Sequence, residues 1–377
     1  MIYLDYAAAT PLDHLVLDEM QPYLRDVFFN PSADYQAARG VRRSLNEARA
    51  QVAQVLGAKP SEIIFTAGGS EANNLAIKGV LTSYPGSKVL VSAIEHESIL
   101  APAEEFSNLI ISVEPDGRIS MEKLISLVDD ETVLVSVMYA NNEIGTIEPI
   151  KKISEALDRI KIERLKNGHK LPILLHTDAC QAANYLDLHV SRLGVDLMTL
   201  NGGKIYGPKQ SGALYVRAGV LLKPQINGGG QEFGLRSGTE NVASSIGFST
   251  ALVKTQSIRA VESERLSKLR EYFIKELEYN IKNVVINGSR KYRLPNNVHA
   301  TFLGQDNERL LIGLDQIGIM AASGSACSAS KEESSHVLMA LGLSDEDARS
   351  SLRFSLGRST NKKDVDATVS ALKTLVS

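Results

Sequence analysis

An acid and a lysine lie at the ends of two neighbouring apolar segments of this chain. The run 173–177 leads into Asp178, and the run 195–200 leads into Asn201-Gly202-Gly203-Lys204. Ligands of α/β proteins bind beside the carboxyl ends of the strands, so both side chains are predicted to face one crevice. A lysine that can form a Schiff base, beside an acid that can hold a pyridine nitrogen protonated, is the pair that pyridoxal phosphate requires. The simpler alternative is a loop-capping acid and a solvated lysine, and the rest of the chain must decide between the two.

A second segment has the composition of a phosphate site. The apolar run 63–66 passes into Ala67-Gly68-Gly69-Ser70-Glu71, and helical spacing follows. A strand, a glycine turn and a helix N-terminus together present backbone N–H groups to an anion, and Ser70 adds a hydroxyl. Two glycines are also common in an ordinary turn. The run 88–93 leads similarly to His96, which favours ring stacking or proton transfer in the same crevice.

The composition is that of a soluble globular protein. The 377 residues are 44% hydrophobic and 23% charged, with a net charge of −3 and a pI near 6.2. These values argue against direct nucleic-acid binding. No secretory signal or membrane-spanning run is evident. The two cysteines, Cys180 and Cys327, cannot form a disulfide framework, so a cytoplasmic location is expected.

The order of the apolar segments predicts the fold class. Strands and helices alternate through the first two thirds of the chain, which favours an α/β fold with a mostly parallel sheet covered on both faces. Two separate helices are predicted at about 240–254 and 262–279. We expect a large domain at residues 13–256 and a smaller α+β domain formed by residues 1–12 and 257–377, which carries the Cys327 segment.

Ten ordered motifs resemble those of the cysteine desulfurases of the iron–sulfur-cluster and nitrogen-fixation type, in aminotransferase class V. The resemblance runs from Tyr3 to about Asp364. The motifs are Tyr3-Leu4-Asp5-Tyr6-Ala7-Ala8, Gly69-Ser70-Glu71-Ala72-Asn73-Asn74, Glu95-His96-Glu97, Asn141-Asn142-Glu143-Ile144-Gly145, Asp178-Ala179-Cys180-Gln181, Lys204-Ile205-Tyr206-Gly207-Pro208-Lys209, Gly228-Gly229-Gly230-Gln231-Glu232, Arg236-Ser237-Gly238-Thr239, Ser323-Gly324-Ser325-Ala326-Cys327 and Arg353-Phe354-Ser355-Leu356-Gly357-Arg358.

The resemblance implies a fold type I enzyme of the pyridoxal-phosphate-dependent transferases, with a seven-stranded sheet in the large domain. It implies pyridoxal 5'-phosphate as cofactor, L-cysteine as substrate, and a persulfide that supplies sulfur for iron–sulfur clusters or tRNA thiolation. The implied partners are a sulfur-acceptor protein and a second copy of the chain in a homodimer. No nucleic acid and no membrane are expected to bind directly.

The resemblance also implies roles for individual residues. Lys204 is expected to form the Schiff base and remove the α-proton, with Cys327 as the nucleophile. His96 is expected to stack on the cofactor ring and to assist in proton transfer. Arg353 is expected to clamp the substrate carboxylate, which suits its planar fork. The other implied contacts to the cofactor come from Asp178, Gln181, Asn142, Gly69, Ser70, Asn201 and Thr239; Asn142 is also expected to contact the substrate, and Thr239 to reach the partner subunit's phosphate.

One motif departs from the family pattern. Relatives usually have Ser-x-His before the lysine, and this chain has Asn201-Gly202-Gly203. Gly203 supplies no side chain, so cofactor affinity is expected to be lower, with the Asn201 amide and the backbone N–H groups of the glycines as candidate substitutes. Two alternatives therefore stay open: a selenocysteine lyase or cysteine sulfinate desulfinase, and a catalytically weakened homologue kept for scaffolding.

Overall fold

Strands and helices alternate along the chain, and the computed structural model describes residues 1–324 and 334–376. The strands are β1 (Ile2–Tyr3), β2 (Ile63–Thr66), β3 (Lys88–Ser92), β4 (Ser107–Ile111), β5 (Thr132–Ser136), β6 (Leu174–Asp178), β7 (Leu197–Asn201), β8 (Gly212–Val216), β9 (Val284–Ile286), β10 (Asn297–Phe302), β11 (Ile319–Met320) and β12 (Ser351–Ser355). The helices are α1 (His14–Arg25), α2 (Gln36–Leu56), α3 (Gly69–Ser83), α4 (Glu97–Glu104), α5 (Met121–Leu127), α6 (Ile150–Lys166), α7 (Val190–Leu193), α8 (Val242–Asn280), α9 (Asn307–Gln316), α10 (His336–Ala340), α11 (Asp345–Ala348) and α12 (Lys362–Leu375). Among these described residues, no helix has the length and apolar character needed to cross a membrane.

Seven strands form the central sheet in the order β2-β8-β7-β6-β5-β3-β4. Strands β7, β6, β5, β3 and β4 are parallel to one another, and β8 runs antiparallel to both β2 and β7. Strands β5, β6 and β8 are buried along their whole length, because helices cover both faces of the sheet. The predicted mostly parallel α/β sheet is confirmed. One of its two edge strands, β4, begins a few residues earlier than the edge segment predicted at 110–113.

The N-terminal residues pair with the C-terminal part of the chain. Strand β1 lies parallel to β11, and Asp5 forms a bridge with Ser355 beside the antiparallel sheet β12-β10-β9. This pairing is consistent with grouping residues 1–12 with the C-terminal segment, and the domain limits remain our prediction. The two helices predicted on either side of residue 257 are one continuous helix of 39 residues, α8. No glycine or proline interrupts residues 254–262, so nothing in the backbone breaks the helix there.

Candidate active site

A cavity opens at the carboxyl ends of the central strands and gathers most of the predicted site residues. The residues that the sequence singled out and that line it are Gly69, Ser70, His96, Asn142, Asp178, Gln181, Asn201, Lys204 and Arg353. All of them except Arg353 lie at the carboxyl end of a central strand or in the segment that follows it, and Arg353 lies in β12 of the smaller sheet. Parallel strands bring these ends to one edge of the sheet, which is why residues far apart in sequence meet there.

The N-terminus of α3 forms one wall of the cavity. Gly68 precedes the helix with φ of 138°, a conformation that strongly favours glycine. A Cβ on Gly69 would lie 2.9 Å from Sγ of Cys180 and 3.3 Å from Nδ2 of Asn201, so a side chain there would fill the cradle. The first N–H groups of a helix have no acceptor within the helix, and with the hydroxyl of Ser70 they form a donor set suited to a phosphate group.

Asp178 ends β6 and lies on the cavity floor with only 8% of its surface exposed. Its Oδ2 accepts from Nδ2 of Asn73 at 2.7 Å, and its Oδ1 accepts from the backbone N–H of Cys180 at 2.9 Å. These two donors fix the orientation of the carboxylate. A buried, fixed carboxylate is what a protonated pyridine nitrogen requires as its partner.

Lys204 lies in the short 3-10 turn that follows β7. Its Nζ donates to the carbonyl oxygens of Ala7 at 2.9 Å and Ala8 at 2.6 Å. Nε2 of Gln181 donates to the same Ala7 carbonyl at 3.0 Å. The N–H and hydroxyl of Thr10 both donate to the carbonyl of Gly203, each at 3.1 Å. The N-terminal segment therefore positions the lysine and the loop that carries it.

His96 caps the N-terminus of α4 with its side chain. Nδ1 of the ring accepts from the backbone N–H of Ser98 at 3.0 Å and lies 2.8 Å from the Ser98 hydroxyl. The cap fixes the ring at the cavity wall, where the expected stacking position lies.

Arg353 projects from β12 and is 2% exposed. Its Nη2 forms an ion pair with Oδ1 of Asp5 at 2.7 Å, and its Nη1 donates to the backbone carbonyl of Asn142 at 3.1 Å. Its Nε is buried and has no hydrogen-bond partner among residues 1–324 and 334–376. Two partners thus hold the guanidinium at the cavity, where it can bind a carboxylate.

The Asn201-Gly202-Gly203 segment lies beside the phosphate cradle. Oδ1 of Asn201 accepts from the N–H of Gly203 at 2.9 Å, and its Nδ2 lies close to Gly69, so the amide can donate into the phosphate cradle. The N–H of Gly202 donates to the carbonyl of Ser211 at 2.8 Å. Both glycine N–H groups donate within the chain, which favours the Asn201 amide over them as the substitute for the missing side chain, and this substitution stays a prediction.

One predicted residue is not brought into the cavity, and another lies outside the described residues. Thr239 is exposed and lines a neighbouring cavity with Thr66, Gln210 and Arg236. Cys327, the predicted nucleophile, lies outside the described residues. The other cysteine, Cys180, is buried beneath Gly69, and burial together with the neighbouring Asp178 raises the pKa of its thiol well above the ordinary value. A thiol held protonated in this way is a poor nucleophile, which agrees with the packing role expected for it.

Several residues that shape the site have roles that no sequence pattern predicted. Asn73 holds Asp178, Ser98 holds His96, and Asp5 holds Arg353. Asn73 and Asp5 belong to two of the ten motifs, and Ser98 follows His96 by two residues, the spacing of a helix cap. The carbonyl groups that receive Lys204 carry no signal in the sequence, because every residue has one.

The described residues fit pyridoxal phosphate. A helix N-terminus opened by Gly69 suits its phosphate, Asp178 suits its ring nitrogen, and Lys204 can form the Schiff base. His96 and Asn142 line the space between them.

Comparison with known proteins agrees with this geometry. The family model described as "Aminotransferase class-V" matches residues 2–368. "Cysteine desulfurase IscS" of Dictyoglomus turgidum is 42% identical over 382 residues, which cover 100% of this chain and 94% of the relative. Among solved structures, a NifS-like protein from Rickettsia africae superposes with a TM-score of 0.89 at 31% identity, covering 100% of this chain and 99% of that chain. "SspA in complex with cysteine" superposes with a TM-score of 0.79 at 33% identity, covering 94% and 99%.

A full-length match to the family model, a relative of this identity and a cavity that fits the cofactor lead to one assignment. The chain belongs to the class-V aminotransferase family and, within it, to the pyridoxal-phosphate-dependent cysteine desulfurases.

Proposed function

We propose that this protein converts L-cysteine to L-alanine and transfers the sulfur, as a persulfide on Cys327, to an acceptor protein. The observation that carries the proposal is the meeting of Lys204, Asp178, His96 and Arg353 around one cavity that fits pyridoxal phosphate. The similarity to cysteine desulfurases and to a structure that binds cysteine supports the choice of substrate. The sulfur is proposed to serve iron–sulfur cluster assembly or tRNA thiolation, in the cytoplasm.

The cofactor, when bound, supplies an electron sink that makes the substrate's Cα–H bond acidic and its Cβ–S bond cleavable. Lys204 binds it through Nζ, and as a free amine Nζ then takes the α-proton. Asp178 holds the proton on the ring nitrogen, because its carboxylate is fixed by Asn73 and by a backbone N–H. Arg353 orients the substrate by binding its carboxylate.

The sulfur transfer requires a second thiol. The thiolate of Cys327 forms a bond to the substrate sulfur as the Cβ–S bond breaks. The electron pair of that bond passes to Cβ, which takes a proton, and the amine of Lys204 returns a proton to Cα to complete alanine. Cys180 is unsuited to this role because it is buried and its thiol pKa is raised.

The test is alanine formation from L-cysteine with pyridoxal phosphate and a reductant supplied. We expect catalytic alanine from the wild type and none from Cys327→Ala. Mass spectrometry without reductant is expected to find one added sulfur on the peptide that contains Cys327, in the wild type and in the matched control Cys180→Ala. Alanine that survives Cys327→Ala would reject the persulfide and point to a selenocysteine- or sulfinate-type lyase. If the folded, cofactor-loaded wild type forms no alanine, the proposed enzymatic activity is rejected.

We further propose a homodimer in which Thr239 of one protomer completes the phosphate site of the other. Thr239 is exposed and lies away from its own protomer's cavity, and exposed aromatic side chains of Phe28, Tyr35 and Phe233 lie on the surface of the chain. Mixing inactive Lys204→Ala with weakened Thr239→Ala subunits tests this. Activity should rise above that of either variant, since one intact site forms per mixed dimer. If the activity of the mixture equals the sum of the activities of the two separate variants, the site is not shared between subunits.

A further inference from the structure

A chain of hydrogen bonds joins His96 to Asp178 along the cavity wall. Nδ2 of Asn73 donates to Oδ2 of Asp178 at 2.7 Å and to Oγ of Ser98 at 2.8 Å. Oγ of Ser98 in turn lies 2.8 Å from Nδ1 of His96. All four residues line the cavity. The amide of Asn73, together with the hydroxyl of Ser98, thus connects Asp178 and His96, the two side chains expected to hold the cofactor ring.

The direction of these hydrogen bonds follows from the groups involved. The amide nitrogen of Asn73 can only donate, so Oγ of Ser98 is the acceptor in that contact. The hydroxyl hydrogen of Ser98 is then available for Nδ1 of His96. The backbone N–H of Ser98 also donates to Nδ1, at 3.0 Å. A ring nitrogen that receives two donors carries no hydrogen of its own, which leaves the ring proton on Nε2.

Two further features support this arrangement. His96 is the N-cap of α4, and the positive end of the helix dipole disfavours a hydrogen on the ring nitrogen that faces it. Oδ1 of Asn73 is buried and has no hydrogen-bond partner within the part of the chain that the structure describes. The two acceptors of Nδ2 therefore set the orientation of the Asn73 amide. The flipped amide would bring its oxygen against the carboxylate of Asp178.

We propose that Ser98 and Asn73 are positioning residues that hold His96 as an Nε2–H donor facing the bound ligand and tie its orientation to Asp178. The inference deepens the proposed function and rests on it for the catalytic role of His96. Of the two roles expected for His96, ring stacking is unchanged and the role in proton transfer becomes more specific. With its proton on Nε2, the ring donates a hydrogen bond there and does not take the substrate α-proton at that atom, which leaves that step to the amine of Lys204.

The first test needs neither cofactor nor activity. Imidazole ¹⁵N NMR of the cofactor-free protein reports which ring nitrogen carries the proton, and His96→Gln assigns the His96 signals among those of the seven histidines. We expect the Nε2–H form in the wild type and in Ser98→Thr, which keeps the hydroxyl. Ser98→Ala is expected to shift the signals toward a mixture of the two tautomers. A wild-type proton on Nδ1, or identical signals in Ser98→Ala, would overturn the proposal.

The second test uses the loaded enzyme. Ser98→Ala is expected to lower kcat about 2- to 10-fold, the effect of one lost hydrogen bond, with an unchanged KM for L-cysteine. Ser98→Thr should restore kcat. The chain offers a matched control: Oγ of Ser191 lies 3.0 Å from Nδ1 of His189, with the same spacing of two residues, at an exposed site outside the cavity. Ser191→Ala should leave kcat and the His96 signals unchanged.

The two readouts separate the possible failures. If the folded protein forms no alanine, the proposed function fails while the NMR signals still decide the position of the ring proton. If Ser98→Ala raises KM and leaves kcat intact, Ser98 acts on substrate binding and the positioning role is rejected.

Discussion

A single methyl group on Gly69 should obstruct the phosphate cradle, because this residue lies where α3 meets the cavity floor. A Cβ there would be 2.9 Å from Sγ of Cys180, well inside van der Waals contact. Cys180 cannot move away easily, since it is buried and its N–H is bonded to Asp178. We therefore expect Gly69→Ala to destabilise the protein.

The magnitude follows from two opposing effects. Overpacking of a buried site costs about 1–3 kcal/mol. The loss of glycine's freedom in the unfolded chain returns about 0.4–1 kcal/mol. The net loss should be about 1–2 kcal/mol in the free energy of unfolding of the cofactor-free protein, measured by chemical denaturation. If the methyl also displaces one hydrogen bond to the phosphate, about 1.5–3 kcal/mol, the Kd for pyridoxal phosphate should rise roughly 10- to 150-fold.

Gly203→Ala is the matched control in the neighbouring loop. Within the described part of the chain, the atom nearest to a Cβ on Gly203 would be Oδ1 of Asn201 at 3.4 Å, an ordinary contact. The same substitution should there change the unfolding free energy by less than about 1 kcal/mol, toward greater stability.

A double variant tests the cause of the loss at Gly69. Removing the sulfur in Gly69→Ala/Cys180→Ala should recover part of the unfolding free energy, with a coupling of about 0.5–3 kcal/mol. Cofactor affinity should stay low, because the methyl remains in the cradle. Strictly additive stability losses, or a stable Gly69→Ala with wild-type affinity, would refute the reasoning.

Three further substitutions extend the test to other parts of the protein. Gly203→His should lower the Kd for pyridoxal phosphate about tenfold, since the site has room for a Cβ and the imidazole adds a donor to a charged group; an unchanged Kd in a cofactor titration would contradict this. Arg353→Lys should raise the KM for L-cysteine roughly 10- to 100-fold with little change in kcat, because lysine lacks the planar fork; a fall in kcat alone would argue against a carboxylate clamp. Burial raises the pKa of Glu148 to about 8, above the unfolded value near 4.3. Its protonated form therefore contributes stability that is complete below about pH 4 and is lost as the pH rises to 8. Relative to Glu148→Gln, the free energy of unfolding of the wild type should fall by as much as about 5 kcal/mol over that pH range in denaturation experiments. If the unfolding free energies of the two proteins depend on pH in the same way, the raised pKa of Glu148 is contradicted.

The sequence by itself predicted the fold class and several of the residues that line the cavity. The periodicity and composition of the apolar segments predicted the seven strands of the sheet, because buried parallel strands are short apolar runs that end in turns. Asp178, Lys204, His96 and Gly69 could be placed together since the carboxyl ends of parallel strands share one edge. Local sequence patterns and one rule of topology are sufficient for these predictions.

The tertiary structure decided which partners these residues have. The ion pair of Arg353 with Asp5 spans almost the whole chain, and no local pattern predicts a contact at that separation. The carbonyls that receive Lys204 belong to backbone groups that all residues share. Whether a Cβ fits at Gly69 or Gly203 depends on atoms from other segments. The residue types follow from the sequence, whereas their distances, burial and hydrogen-bond directions follow from the packing of distant segments against one another.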